Sequence, residues 1–141
     1  MLLLLSLLKK PENEVRLAAL DFTVSYGKEF HLTHANLSGD NPRCLSNFPG
    51  RASLCAKALD SLAETGYIER ILLPEGIGCA LTRAGREAAR KLDCSPYASQ
   101  YKKAALTAAR LLQGKEDLSL IRHIFQRPKD NPPCSLSTSQ N

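Results

Sequence analysis

The segment from Ser53 to Leu92 constrains the fold more than any other part of the chain. In its first part, four apolar residues recur at the i, i+3, i+4 and i+7 spacing of one helical face: Cys55, Ala58, Leu59 and Leu62. Gly66 follows at a position where a helix end favours a left-handed residue, which glycine adopts without steric cost. The pattern predicts a helix over residues 50–65 that stops at Gly66.

The residues after this glycine predict a hairpin and a second helix. Residues 67–73 are aromatic, β-branched and aliphatic at most positions, as strands favour. The turn-forming residues 74–78 separate them from a predicted return strand at 79–81. Thr82 is a suitable N-cap for a helix that ends near Leu92.

This order of elements resembles the recognition helix, wing and following helix of winged helix-turn-helix DNA-binding domains, such as the bacterial MarR- and PadR-like regulators. The resemblance covers residues 32–92. Leu32, Thr33 and Leu37 match a Leu-Thr-x-x-x-Leu phrase that in this family opens the helix before the recognition helix. The resemblance therefore implies a short helix at residues 33–38. An unrelated α+β domain with a helix–hairpin–helix stretch is the alternative.

The segment 39–50 departs from the family pattern. A helix-turn-helix ordinarily connects its two helices through about three or four residues. Here the connection is longer and rich in turn-forming residues. It forms either an expanded loop or an additional short helix, and Leu45 and Phe48 can anchor it to the core.

The predicted fold class is mainly α with a small β-hairpin wing, and with extra helices at both ends. Residues 1–10 form a leucine-rich N-terminal helix, and residues 11–93 form the winged helix-turn-helix domain. The first helix of that domain starts near Glu12 and Glu14, because acidic residues suit a first helical turn. Residues 94–126 form C-terminal helices that serve dimerisation, and residues 127–141 form a disordered tail.

The apolar segment at residues 1–10 is not predicted to be a signal peptide or a membrane span. Its positive charges follow the apolar run instead of preceding it, and it is far shorter than the roughly 18 residues that a span requires. It packs either on the chain's own core or against a second subunit. The C-terminal helices have the same two alternatives. The predicted homodimer contacts are Leu3, Leu4, Leu7, Tyr101, Leu111, Leu112, Ile121 and Phe125.

The charge of the chain permits nucleic-acid binding. Nineteen basic and fourteen acidic residues give a net charge of +5, and basic groups displace counterions from phosphates. In the family, the N-terminal half of the recognition helix contacts base edges. The side chains predicted to contact double-stranded DNA are Arg43, Arg51, Ser53, Lys57 and Arg70, and the alternative for each is a solvated surface position. Against DNA binding, the wing tip at 74–78 contains Glu75 and no Lys or Arg.

No residue pattern predicts catalysis, a metal or a cofactor. The five cysteines include no Cys-x-x-Cys pair, and Cys55 and Cys79 fit small buried thiols. His31 and His34 have no third ligand nearby in sequence. Glycine-rich phosphate loops, nucleophile elbows and metalloprotease helices are absent from the sequence. We therefore do not expect an enzyme, and reduced cysteines favour the cytoplasm.

These observations support a small cytoplasmic transcriptional regulator that binds DNA as a dimer through the helix at 50–65. The first alternative is a winged-helix protein-interaction module in a larger assembly, docking through its apolar terminal helices. The second is a DNA-binding accessory factor in replication, partition or conjugation.

Overall fold

A computed structural model describes residues 1–126, with only the backbone described for Leu118 and His123. The predicted disordered tail, residues 127–141, lies outside the described residues. The α-helices and strands are α1 (Leu2–Leu7), β1 (Glu12–Asn13), α2 (Glu14–Ser25), α3 (Phe48–Glu64), β2 (Ile68–Leu73), β3 (Gly76–Leu81), α4 (Arg83–Leu92), α5 (Pro96–Leu111) and α6 (Asp117–Phe125). Two short 3-10 helices, Gly27–Phe30 and Cys44–Asn47, lie between α2 and α3.

Helix α2 is the centre of the fold. Every residue from Leu17 to Ser25 is buried, because α3, α5 and α6 all pack against this helix. A helix without a polar face is typical of such a position. On α2, the Phe22 ring makes edge-on contacts with Phe48 at 5.2 Å and Phe30 at 6.2 Å between ring centroids.

The sheet is antiparallel, with β3 between β1 and β2. In the hairpin, pairing runs from Ile68 with Leu81 to Leu73 with Gly76 at the tip. Strand β1 adds a short third strand, in which Glu12 pairs with Cys79. The fold is therefore mainly α with a small sheet, as predicted.

The helix–hairpin–helix order predicted for residues 50–92 is confirmed. Gly66 has φ +79° at the end of α3, as expected of a left-handed helix stop. Thr82 caps α4, because its Oγ1 accepts from the Gly85 amide at 3.1 Å, and it also donates to the Gly66 carbonyl at 2.6 Å. This hydroxyl joins both ends of the hairpin segment.

The short helix predicted at residues 33–38 was wrong, because this stretch forms turns and bends. The Thr33 hydroxyl donates to the Ala35 carbonyl at 2.8 Å instead of capping a helix. The Asn36 side chain accepts from the Lys28 amide at 3.0 Å. Such local side-chain bonds compete with helix formation.

The predicted start of the first long helix is also corrected. Residues 12–13 form β1, and α2 begins only at Glu14. Asn13 explains the boundary, because its side-chain oxygen accepts from the Arg16 amide at 2.8 Å as an N-cap.

The connection at 39–50 contains the additional short helix that was one of its two alternatives. The 3-10 helix Cys44–Asn47 leads directly into α3, which begins at Phe48, slightly earlier than predicted. Phe48 is buried, and Leu45 packs against the core, so both residues anchor the segment as expected.

The terminal helices pack on the same core as the rest of the chain. Helix α1 lies against α4 and α5 and buries Leu4 completely. Tyr101 and Leu112 also belong to this core. The structure therefore contradicts a dimer contact for Leu4, Tyr101 and Leu112, whose side chains are enclosed by their own chain.

Candidate interaction surfaces

A buried polar cluster connects α2, α3 and α5 beneath the predicted DNA-binding helix. At its centre is Asp21, which is 8% exposed. Its Oδ1 accepts a hydrogen bond from the Tyr101 hydroxyl at 2.8 Å. Its Oδ2 lies 3.3 Å from Nη2 of Arg51 and 3.7 Å from Sγ of Cys55. We call these four residues the Asp21 cluster.

Arg51 points into the molecule. Besides Asp21, its Nη2 donates to Oγ of Ser25 at 2.5 Å, and its Nη1 lies 3.5 Å from Oγ of Ser38. Its guanidinium also lies 6.0 Å from the ring centroid of Tyr26. The predicted DNA contact by Arg51 disagrees with this geometry, because the cation that it would offer to a phosphate is held by a carboxylate of α2.

The Asp21 cluster favours the neutral forms of its tyrosine and thiol. Burial raises the pKa of Tyr101 above its ordinary value, and the negative charge of Asp21 adds to the effect. Burial, again with a contribution from Asp21, raises the pKa of Cys55 to about 11. At neutral pH both groups are therefore protonated donors to Asp21.

Arg70 is the second predicted DNA contact that the chain uses internally. On β2, its guanidinium pairs with Asp60 of α3 and lies 3.9 Å from the Glu14 carboxylate of α2. These pairs tie the hairpin to both helices. Arg70 is exposed, so its assignment to DNA backbone contacts stays a prediction.

The other three predicted DNA contacts are exposed. Ser53 and Lys57 lie four residues apart on α3 and so share a helix face. Arg43 lies in the turn before the second 3-10 helix. Within residues 1–126, the side chains of Ser53, Lys57 and Arg43 form no hydrogen bond or ion pair.

The wing tip is an apolar surface that sequence reasoning missed. Leu72 and Ile77 face each other across the hairpin and are 84% and 56% exposed. They continue the face of Ile68 and Cys79, both buried, because alternate residues of a strand share a face. Alternation along β2 contained only part of this signal, because Arg70 stands between Ile68 and Leu72 on the same face.

Comparison with known proteins identifies the family of the chain. A family model for the ABC-three component (ABC-3C) system Middle Component 2 matches residues 1–130. The chain belongs to this family. Searches of curated proteins and of solved structures return no match.

Membership in the Middle Component 2 family bears on the predicted partners of the chain. A middle component of a multi-component system has protein partners. The family match says nothing about MarR- or PadR-like regulators, so the resemblance to winged helix-turn-helix DNA-binding domains stays a prediction.

The predicted dimer contacts of this Middle Component 2 protein divide into three groups. Leu4, Tyr101 and Leu112 are in the core, as described above. Leu111 and Phe125 are 44% and 51% exposed. The remaining three are partly buried: Leu3, Leu7 and Ile121.

Within the described part of the chain, no group of three or more His, Cys, Asp or Glu side chains has a metal-binding arrangement. Cys44, Cys55 and Cys79 are buried reduced thiols, and Cys94 is an exposed one. None of the helices of residues 1–126 has the length and apolar character to cross a membrane.

Proposed function

We propose that this Middle Component 2 protein is a protein-interaction subunit of its three-component system, and that its wing tip docks on another component. The observation that carries the proposal is the exposed cross-strand pair Leu72 and Ile77. Family membership supports a protein as the occupant, because a component of such a system has protein partners.

The chemistry of the wing tip favours a protein over a nucleic acid. Two aliphatic side chains next to Glu75 offer no cation to a phosphate. Exposed apolar side chains are stabilised when a complementary apolar surface removes them from water. The partner surface is therefore an apolar pocket whose rim carries a positive charge opposite Glu75.

Co-expression of the chain with the other two components of the system tests this proposal. The variant Leu72→Lys/Ile77→Glu removes the apolar tip but keeps a favourable cross-strand pair and an unchanged net charge. We expect it to fold normally and to lose co-purification with one of the two components. The matched control is Leu106→Lys/Thr107→Glu, an equally neutral change on the exposed face of α5, which retains both partners. Normal assembly of the wing variant would reject the wing tip as the docking site.

Duplex DNA binding is the second candidate, because Ser53 and Lys57 point outwards from α3. In this case Lys57→Ala weakens the binding of a fluorescent duplex, and the affinity falls steeply with salt. Arg43→Ala has a similar, smaller effect. A regulator or an accessory factor in replication, partition or conjugation would share this behaviour. Absence of duplex binding at low salt by the wild-type protein removes this candidate.

Homodimer formation is a separate prediction with its own test. The predicted contacts that are not fully enclosed are Leu3, Leu7, Leu111, Ile121 and Phe125. Light scattering of the purified chain distinguishes the monomer of 15.5 kDa from a particle of twice that mass. A cytoplasmic location is part of the proposal, since a reducing compartment suits the reduced thiols.

A further inference from the structure

A groove of about 510 Å³ is lined by α1, β3 and α4. One wall is α1 with the residues that follow it, 8–11. The other wall is formed by β3 and α4, and Asp93 and Lys102 also line the groove. Leu72 and Ile77 are not among its lining residues. The size is typical of sites that enclose a small ligand or a few side chains of a larger one.

The rim of this groove is basic. Lys102 is neutralised by Asp93, whose Oδ2 lies 2.7 Å from its Nζ. The other lining cations form no ion pair with any described residue: Lys9, Lys10, Arg86 and Arg90. We call these four residues the rim cations.

The rim cations come from both walls. Lys9 and Lys10 follow α1, whereas Arg86 and Arg90 lie four residues apart on one face of α4. The Nη1 of Arg86 donates to the Leu81 carbonyl at 3.0 Å, which fixes its guanidinium beside β3. A ligand in the groove would therefore meet positive charge from two directions.

Between the cationic walls the lining is aliphatic. Its apolar members include Leu3, Leu5, Leu7 and Leu8 at α1, Leu81 of β3 and Ala89 of α4. A free inorganic anion would contact the cations and leave this aliphatic part in water. A duplex would place phosphates at the rim and nothing apolar between the walls. Neither ligand satisfies both parts of the groove.

We propose that this groove binds a short acidic segment of a partner protein. Aliphatic side chains of the segment enter between α1 and α4, and its Asp and Glu carboxylates pair with the rim cations. Charge complementarity decides the occupant, because four unneutralised cations favour a polyanionic ligand and the aliphatic lining requires apolar groups on it. The inference rests on the proposed function in so far as the partner is a protein, but it concerns a separate surface.

Fluorescence anisotropy with short overlapping peptides of the other two system components tests the inference on the full chain. We expect binding by a peptide that mixes several acidic residues with aliphatic ones. Arg86→Glu/Arg90→Glu should weaken this binding about tenfold or more, because each exposed charge pair contributes modestly and two are reversed. Lys9→Glu/Lys10→Glu is the second variant, since it leaves the Arg86 contact with Leu81 intact.

The matched control is Arg83→Glu/Lys91→Glu, which changes the net charge equally on α4 but outside the groove. It should change the affinity less than about twofold, because neither residue lines the groove and salt weakens the effect of exposed charges. An equal loss in this control would overturn the proposal. So would the absence of any acidic peptide that binds. Polyglutamate or a DNA duplex that binds as tightly, with the same sensitivity to the variants, would assign the groove to anions in general.

The wing variant Leu72→Lys/Ile77→Glu separates the two proposals. It should bind the acidic peptide as the wild type does, because the wing tip does not line the groove. Peptide binding together with normal assembly of the wing variant would reject the wing tip and retain the groove. Loss of assembly by the wing variant, in a chain that binds no acidic peptide, would retain the wing tip and reject the groove.

Discussion

Two basic regions of this molecule use their cations in opposite ways. Around α3, Arg51 and Arg70 are held by Asp21, Asp60 and Glu14 of the same chain. In the groove between α1 and α4, the rim cations have no carboxylate partner among the described residues. A net charge of +5 therefore does not reveal which cations are available to a ligand. Two of the cations that looked suited to DNA, Arg51 and Arg70, pair within the fold, whereas the four rim cations of the groove do not.

The largest effect is expected at the centre of the paired region. Asp21→Ala removes the acceptor of Tyr101 and the counter-ion of Arg51. Because Asp21 is buried and also accepts from Tyr101 and Cys55, we expect a loss of about 3–5 kcal/mol of unfolding free energy, the range for breaking a buried charged pair. Urea denaturation at neutral pH measures the loss. Asp93→Ala, which removes the exposed partner of Lys102, is the control and should cost less than about 1 kcal/mol. Similar losses in both variants would contradict the assignment of Asp21 as the centre of the cluster.

Alkaline pH should weaken the same cluster. The pKa of Cys55 rises from 9.0 to about 11 in the folded state, and the pKa of Tyr101 is also raised. The folded state favours the protonated thiol. The contribution of this thiol to the unfolding free energy is therefore complete below pH 9 and is lost as the pH rises to about 11. Ionisation of this thiol alone should lower the unfolding free energy by about 2–3 kcal/mol over this pH range.

Urea denaturation between pH 8 and about pH 11 measures this loss. Cys55→Ala should flatten the pH dependence over this range, whatever its effect at neutral pH. Tyr101→Phe should flatten the part above pH 10, which is the ordinary pKa of a tyrosine. A pH dependence unchanged by either variant would show that other groups cause the alkaline loss.

Two cations of α3, Arg51 and Lys57, should contribute differently to the unfolding free energy. Arg51→Ala should lower the unfolding free energy by about 1–2 kcal/mol, less than a fully buried pair because its side chain is 30% exposed. Lys57→Ala, on the outer face of the same helix, should change it by less than about 0.5 kcal/mol. Thermal denaturation of both variants measures the difference. Equal stability of the two would mean that Arg51 is as solvated as Lys57.

The helix, the hairpin and the caps of residues 50–92 were predictable because their signals are local. A periodic apolar face, Gly66 and Thr82 each act within a few residues of their own position. The orientation of Arg51 also had a local signal, since it precedes Cys55 by four residues and so extends the buried stripe of α3. Ser53 and Lys57 lie off that stripe, and both are exposed as predicted.

Contacts between distant segments could not be predicted in this way. Tyr101 looked like a dimer contact because its acceptor, Asp21, lies 80 residues away in sequence. The groove likewise joins Lys9 and Lys10 to Arg86 and Arg90, which only the packing of α1 on α4 brings together. The false helix at 33–38 has another cause, since its side chains bond to nearby backbone groups.

The smallest stability effect, and one with a different sign, is expected for the rim cations. Arg86→Glu/Arg90→Glu should change the unfolding free energy by less than about 0.5 kcal/mol, because both side chains are exposed and the one bond that is lost, from Arg86 to the Leu81 carbonyl, is itself exposed to solvent. Any change should be a stabilisation at low salt, because the reversal replaces repulsion with attraction towards Lys9 and Lys10. High salt should remove the difference, since it screens exposed charges. Thermal denaturation at two salt concentrations measures both effects. A large loss of stability would show that these arginines hold the fold together as Arg51 does, and the contrast between the two basic regions would then disappear.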